Sequence, residues 1–123
     1  MEDNPIRWFE IYVQDMERAK AFFTALFDYQ FKDLEAPDAE MWAFPEDMSK
    51  YGAGGALIKM EGVPSGGSGT VVYFGTDDCS VQEARVEKAG GRVFKPKFSI
   101  GPYGFIALVY DTEGTLIGLH SMK

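Results

Sequence analysis

The stretch RWFEIYVQDMERAKAFF, Arg7 to Phe23, sets one carboxylate between two aromatic rings. Its first half alternates, with Phe9, Ile11 and Val13 at odd positions and Trp8, Glu10 and Tyr12 at even ones. Successive side chains of a strand point to opposite faces, so the odd set makes a core face. The even set makes a face that is neither plain core nor plain solvent. Aromatic walls with a few polar groups are what small-molecule pockets usually have. His120 is the only histidine of the chain. Meeting in one pocket, a carboxylate and an imidazole can form a general acid–base pair, with Glu10 orienting or charging His120. They can equally bind a polar ligand. The bland alternatives are a hydrogen-bonded strand carboxylate and a frayed C-terminal histidine. Tyr73 shares the parity of Trp8 and Tyr12 within its own strand, with ordinary core packing as the competing reading. Trp42, Phe44 and Tyr103 are candidate rim residues, and SIGPYG can serve as a mobile lip or as a rigid turn.

These residues need elements to hold them. The first strand covers about Ile6 to Val13. Asp15 can cap a helix near Met16–Phe27, whose Ala19, Phe22, Phe23, Leu26 and Phe27 recur at helical spacing. Strands are expected at Tyr29–Leu34, Met41–Phe44 and Gly54–Met60, the last two separated by the turn-forming run PEDMSKYGAGG. EGVPSGGSG, Glu61 to Gly69, reads as a linker, and it lacks the Gly-Lys-Ser/Thr ending of a phosphate-cradling loop. The order then repeats. Thr70–Thr76 is a strand, and Asp77 or Asp78 can cap a helix near Ser80–Ala89 that Gly90 and Gly91 terminate. Arg92–Lys97, Tyr103–Tyr110 and Leu116–His120 are strands, the last two joined at DTEG.

The chain therefore reads βαβββ, linker, βαβββ, with the halves offset by 62 or 63 residues. Such a repeat suggests duplicated modules, about 5–60 and 70–121, in one domain spanning 1–123. The expected class is α+β, two tandem βαβββ modules forming a cupped eight-stranded mixed sheet with helices on the convex side. The concave side gives the Trp8–Glu10–Tyr12 face somewhere to point.

Composition narrows the partners. The 123 residues, 46% hydrophobic and 15% aromatic, fit one folded globular domain rather than a disordered chain. A net charge of −7 disfavours nucleic acid and anionic membranes, which need basic patches. It suits a cationic ligand weakly, since solubility alone explains it. Cys79 is the single cysteine, so no disulfide can form within the chain, which fits a reducing compartment. Its place near a helix N-terminus could activate a thiolate, but no partner is visible and a small buried residue is the better reading. MEDNP has no apolar stretch resembling a signal peptide, and no run approaches the roughly 18 apolar residues of a spanning helix. The expected location is cytoplasmic.

Three motifs, FEIYVQDMERAKAFFTALF, VVYFGTDDCSVQEARVEKAGGRVF and IGPYGFIALVYDTEGTLIGLHS, follow one another a module apart. Together they resemble the vicinal oxygen chelate superfamily of glyoxalase I, bleomycin-resistance proteins and extradiol dioxygenases. The resemblance covers essentially the whole chain and implies the paired βαβββ cup. In the metalloenzymes it also implies a divalent metal held by His, Glu or Gln from the first and last strand of each module. Carried over position by position, the first ligand falls seven residues before Asp15, at Trp8, and its counterpart before Asp78 is Val71. The last falls seven after Asp111, at Gly118, and the remaining one should come from GGALIKM, which has no His, Asp or Glu. A divalent ion needs several converging N, O or S donors. Glu10 and His120 stand one pleat from the first and last of these places, so a displaced ligand set is the one escape.

The resemblance and the residues together imply a metal-free protein with no cofactor, binding an unidentified small organic molecule in an aromatic cup through Trp8, Glu10, Tyr12, Tyr73, Tyr103 and His120. Metal-dependent glyoxalase or dioxygenase chemistry is disfavoured. The alternative is a glyoxalase-like lyase or dioxygenase-related enzyme using a displaced metal or a Glu10/His120 acid–base pair. A third reading is an interaction domain with a filled cup. Homodimerisation is common in the family and compatible with all three.

Overall fold

The computed structural model describes residues 4–67, 69–112 and 114–123. Ser68 of the linker, Glu113 of the final turn, the first three residues and the side chain of Leu26 lie outside the described parts. The order is β1 (Ile6–Tyr12), α1 (Met16–Phe27), β2 (Lys32–Asp33), β3 (Glu40–Ala43), β4 (Gly54–Lys59), β5 (Thr70–Gly75), α2 (Cys79–Glu83), β6 (Arg92–Ser99), β7 (Phe105–Tyr110) and β8 (Leu116–Ser121). The eight strands make a mixed open sheet, and with the two helices the class is α+β.

The chain divides into two compact units, one of residues 8–70 and one of 71–123 with the segment up to Arg7. In the first, β1 runs parallel to β4, while β3 pairs antiparallel with β4 and β2. In the second, β5 runs parallel to β8, while β7 pairs antiparallel with β8 and β6. The same pairing pattern thus appears twice, as a βαβββ repeat requires.

Asp15 caps α1 by accepting the Arg18 N–H at 3.0 Å, which satisfies one of the donors a helix start leaves open. Asp28 stops the helix in the left-handed region at φ 60° while its N–H bonds Thr24 O. The stripe expected on α1 is only partly inward. Phe23 packs edge-on against Phe44 at 5.2 Å, whereas Phe22 and Phe27 are each 55% exposed. The buried apolar residues of this unit include Met16, Ala43, Ala56, Leu57 and Ile58; by register Leu57 shares the Ile11 and Trp42 face, whereas Ala43, Ala56 and Ile58 lie on the face of Glu10 and Tyr12.

In the second unit Asp78, not Asp77, caps α2, accepting from the Ser80 N–H at 3.0 Å. The helix is shorter than expected. Beyond Glu83 the bonding tightens to three-residue spacing, with Arg85 N donating to Gln82 O and Val86 N to Glu83 O. Cys79, Ala107, Val109 and Leu119 form the buried cluster, with Phe74, Val86, Val93, Phe105 and Ile117 packed on it. Two further expectations shift. β2 contracts to two residues, because Asp28 and Glu35 both take positive φ (60° and 53°) at its flanks. Tyr103 leaves the strand for a 3-10 turn, Gly101–Tyr103, where Pro102 fits a helical start and Gly104 turns at φ 102°.

Candidate functional site

β1 pairs with β4 in the register Trp8↔Gly54, Glu10↔Ala56 and Tyr12↔Ile58. Small partners opposite the first two leave room for the large and the charged side chain. Glu10 is buried, only 8% exposed. Its Oε2 accepts the Trp8 indole N–H at 3.2 Å, and its Oε1 accepts the Tyr12 hydroxyl at 3.0 Å. A buried carboxylate is tolerated only when donors replace its water, and the residues two positions either side supply them. In return, burial and then the Glu10 charge hold the Tyr12 hydroxyl well above its usual pKa of 10.0. The three side chains read from alternation do converge, into one hydrogen-bonded unit with a negative centre and aromatic flanks.

A second carboxylate belongs to these surroundings and was not expected. A Cβ placed on Gly54 would collide with the Glu46 carboxylate and lie 3.3 Å from the Trp8 ring edge. Glu46 sits in PEDMSKYGAGG, which reads only as turn formers. The signal that could have found it is Gly54 opposite Trp8, a position where any side chain would displace the acid.

In the other unit β5 pairs with β8, Tyr73 opposite Gly118 and Gly75 opposite His120. Tyr73 is 7% exposed, and its ring occupies the space that a Cβ on Gly118 would take. His120 Nε2 lies 2.7 Å from the Tyr103 carbonyl oxygen. A carbonyl can only accept, so Nε2 is the donor in this contact. Nδ1 is buried and has no hydrogen-bond partner. Tyr103 therefore enters through its backbone, and its ring is 66% exposed. The segment SIGPYG is a hydrogen-bonded turn: Ile100 N donates to Gly104 O, Gly104 N to Gly101 O, and Gly101 N to Ser99 Oγ.

Trp42 and Phe44, expected at a rim, pack elsewhere. Trp42 lies beneath Lys20 of α1, whose ammonium is 3.4 Å from the ring centre, and Phe44 meets Phe23 of the same helix. The cause is register, which pairs Trp42 with Leu57 on the core face of β4. Cys79 is fully buried, its N–H bonded to Ser121 Oγ at 3.0 Å. Among the described residues no three His, Cys, Asp or Glu side chains gather closely enough to hold a metal ion, and no helix is long and apolar enough to cross a membrane.

Comparison with known proteins places this geometry. A glyoxylase-like domain-containing protein of Didymella fabae is 29% identical over 109 residues, covering 85% of this chain and 84% of that protein. Proteins provisionally named glyoxylases from Mycobacterium bovis and Mycobacterium tuberculosis are 26% identical over 113 residues, 91% of this chain. The chain spans only 43% of the length of those mycobacterial relatives. Among solved structures, Streptomyces coelicolor methylmalonyl-CoA epimerase in complex with 2-nitronate-propionyl-CoA superposes with a TM-score of 0.68 at 18% identity, covering 96% of both chains. A glyoxalase/bleomycin resistance protein/dioxygenase superfamily member from Vibrio splendidus 12B01 superposes with a TM-score of 0.68 at 20% identity, covering 94% of this chain and 98% of that one. At these identities the structures share the fold. The model of the Glyoxalase/Bleomycin resistance protein/Dioxygenase superfamily matches residues 6–119, and the chain belongs to that superfamily.

Proposed function

We propose that the chain binds a small organic molecule at the Trp8–Glu10–Tyr12 face and does so without a resident divalent metal. The observation that carries this is Glu10, whose buried carboxylate is held by the Trp8 indole and the Tyr12 hydroxyl on a strand where metalloenzymes of the family place a ligand. A negative centre between aromatic rings favours a ligand that carries a hydrogen-bond donor or a positive charge. Glu46, over Gly54 beside the Trp8 ring, adds a second acid for the same chemistry. The ligand places carried over from the family do not fit a divalent ion. Trp8, Val71 and Gly118 have no donor side chain, and the Tyr73 ring stands over Gly118. The epimerase structures, solved with bound CoA compounds, support the use of this fold for organic ligands.

Native mass spectrometry of the purified protein, followed by a thermal-shift panel of organic cations and neutral polar molecules, tests this reading. The expected result is a saturable rise in melting temperature that is unchanged by chelator and lost in Glu10→Gln. Stoichiometric metal by elemental analysis, with binding abolished by chelator, would overturn it.

The alternative is a glyoxalase-like enzyme in which Glu10 or His120 moves a proton. The observation that favours it is the buried Nδ1 of His120, a ring nitrogen with no hydrogen-bond partner. Turnover of a hemithioacetal that falls in both Glu10→Gln and His120→Ala would establish it, and turnover unchanged in both would exclude it. Homodimerisation is part of the proposal, and sedimentation velocity reads it directly.

A further inference from the structure

The two sheet faces of the second unit differ in kind. One carries Phe74, Val93, Ala107, Val109 and Leu119, packed with Cys79 of α2. Alternation puts the residues between them on the other face. Register there runs from Gly75 to His120, Ile106 and Phe98 across β5, β8, β7 and β6, with Lys95 opposite Leu108 and Arg92 opposite Tyr110. The titratable side chains that these strands place on this face, besides tyrosine, are Arg92, Lys95 and His120, with no Asp or Glu among the described residues. Arg7, which belongs to the same unit, joins them. A Cβ on Gly75 would collide with the Arg7 side chain from Cγ to Cζ, so that side chain lies across Gly75, one strand away from His120. Gly75 is the seat that any larger residue would deny it.

These cations gather in a chain whose net charge is −7, and nothing answers them. Among the described residues Arg7, Arg92 and Lys95 make no ion pair. Arg92 lies instead over the Tyr110 ring at 4.5 Å, and Lys95 over the Phe98 ring at 4.2 Å. Like charges on one face repel, and a bound anion offsets that cost. The guanidinium fork matches a carboxylate with two parallel hydrogen bonds. Between Arg7 and Lys95 the floor is apolar, formed by half-buried Ile106, Leu108 and Phe98. The row from Gly75 to Phe98 crosses three strand spacings, about 14 Å, and Leu116 to His120 runs about 13 Å along β8. A face of about 200 Å² is far below the roughly 800 Å² per partner of a stable protein interface. Its charge selects an anion, and its extent selects a small molecule.

We infer that this face binds a small aromatic carboxylate, the acid group held by the Arg7 guanidinium and the flat ring laid on the Ile106, Leu108 and Phe98 floor. The site uses none of Trp8, Glu10 and Tyr12, which belong to the other unit, so it stands independently of the ligand face proposed above.

Titration of the protein with 2-naphthoate, and separately with 2-naphthamide, followed by amide NMR, tests it. Naphthoate should shift the resonances of Gly75, Ile106, Leu108 and His120 saturably, and the uncharged amide should bind at least about tenfold more weakly. Arg7 is exposed, so Arg7→Gln should keep the fold and weaken naphthoate binding by about tenfold or more. Gly75→Ala keeps every charge but displaces the Arg7 side chain, and it should weaken binding as well. Should Gly75→Ala fail to fold, Arg7→Lys, which keeps the charge and loses the fork, should show a loss smaller than that of Arg7→Gln. No saturable shift, equal binding of acid and amide, or unchanged binding in Arg7→Gln would overturn the inference. So would shifts confined to residues 8–70. A concentration-dependent dimer, broken by Arg7→Gln and insensitive to naphthoate, would also overturn it, since a second copy would then be what meets these cations.

Discussion

The ring of Tyr73 lies over Gly118, its partner across the β5–β8 ladder, and fills the volume a side chain there would need. This relationship turns a missing donor into a packing fact. Gly118→Ala should destabilise the protein by about 1–3 kcal/mol, because the added methyl meets a ring that is itself buried. Urea unfolding of Gly118→Ala, Tyr73→Ala and the double variant checks it. The cost of Gly118→Ala should largely vanish in the Tyr73→Ala background, since the two side chains compete for one space.

Tyr12 links the ligand face to alkaline pH. Burial and the Glu10 charge raise its folded pKa above the unfolded value of 10.0. A raised folded pKa contributes stability that is complete below the unfolded pKa and is lost as pH rises beyond it. Stability should therefore decline above pH 10, where the unfolded chain releases the phenol proton and the folded one keeps it. Tyr12→Phe should flatten that decline, as read from chemical denaturation midpoints across the alkaline range. An unchanged slope in the variant would remove Tyr12 as its source.

Asp78 predicts the opposite end of the scale. The Ser80 hydroxyl, then Lys97 and the Ser80 backbone N–H, lower its carboxyl from 3.8 to about 2. A depressed folded pKa contributes stability that is present above the unfolded value and lost as pH falls toward the folded one. Between pH 4 and pH 2 the contact of α2 with Lys97 of β6, at 2.9 Å, should loosen. Amide exchange at Ser80 should quicken over that window, and in Asp78→Asn the exchange should be less dependent on pH.

The uneven legibility of these features has a physical basis. Side-chain alternation along β1 is a local property, so the face shared by Trp8, Glu10 and Tyr12 could be read directly and its hydrogen bonding followed from proximity. The doubled βαβββ order was likewise legible along the chain, whereas the parallel pairing of β1 with β4 and of β5 with β8 is seen only in the structure. The contact of Tyr73 with Gly118 depends on register between strands more than forty residues apart, which no local pattern specifies. Glu46 was hidden because its position over Gly54 comes from loop geometry, and Trp42 because register with Leu57 turned it toward α1. The length of α2 was misjudged where hydrogen-bond spacing tightened past Glu83, a change that composition does not announce.

Ser121 ties the start of α2 to the last strand. Its hydroxyl is fully buried, accepts the Cys79 N–H at 3.0 Å and donates to the Lys123 carbonyl at 2.8 Å. The Cys79 amide opens a helix and has no acceptor within it, so the hydroxyl stands in for one. Ser121→Ala keeps the volume close to native but strips both bonds, leaving a buried donor without a partner. The expected loss is about 1–3 kcal/mol in urea unfolding, with faster exchange of the Cys79 amide. Ser121→Thr, which keeps the hydroxyl, should restore the protected amide even if its extra methyl costs packing. A loss of stability in Ser121→Ala with the Cys79 amide still protected would mean that packing, and not this hydrogen bond, holds the helix start in place.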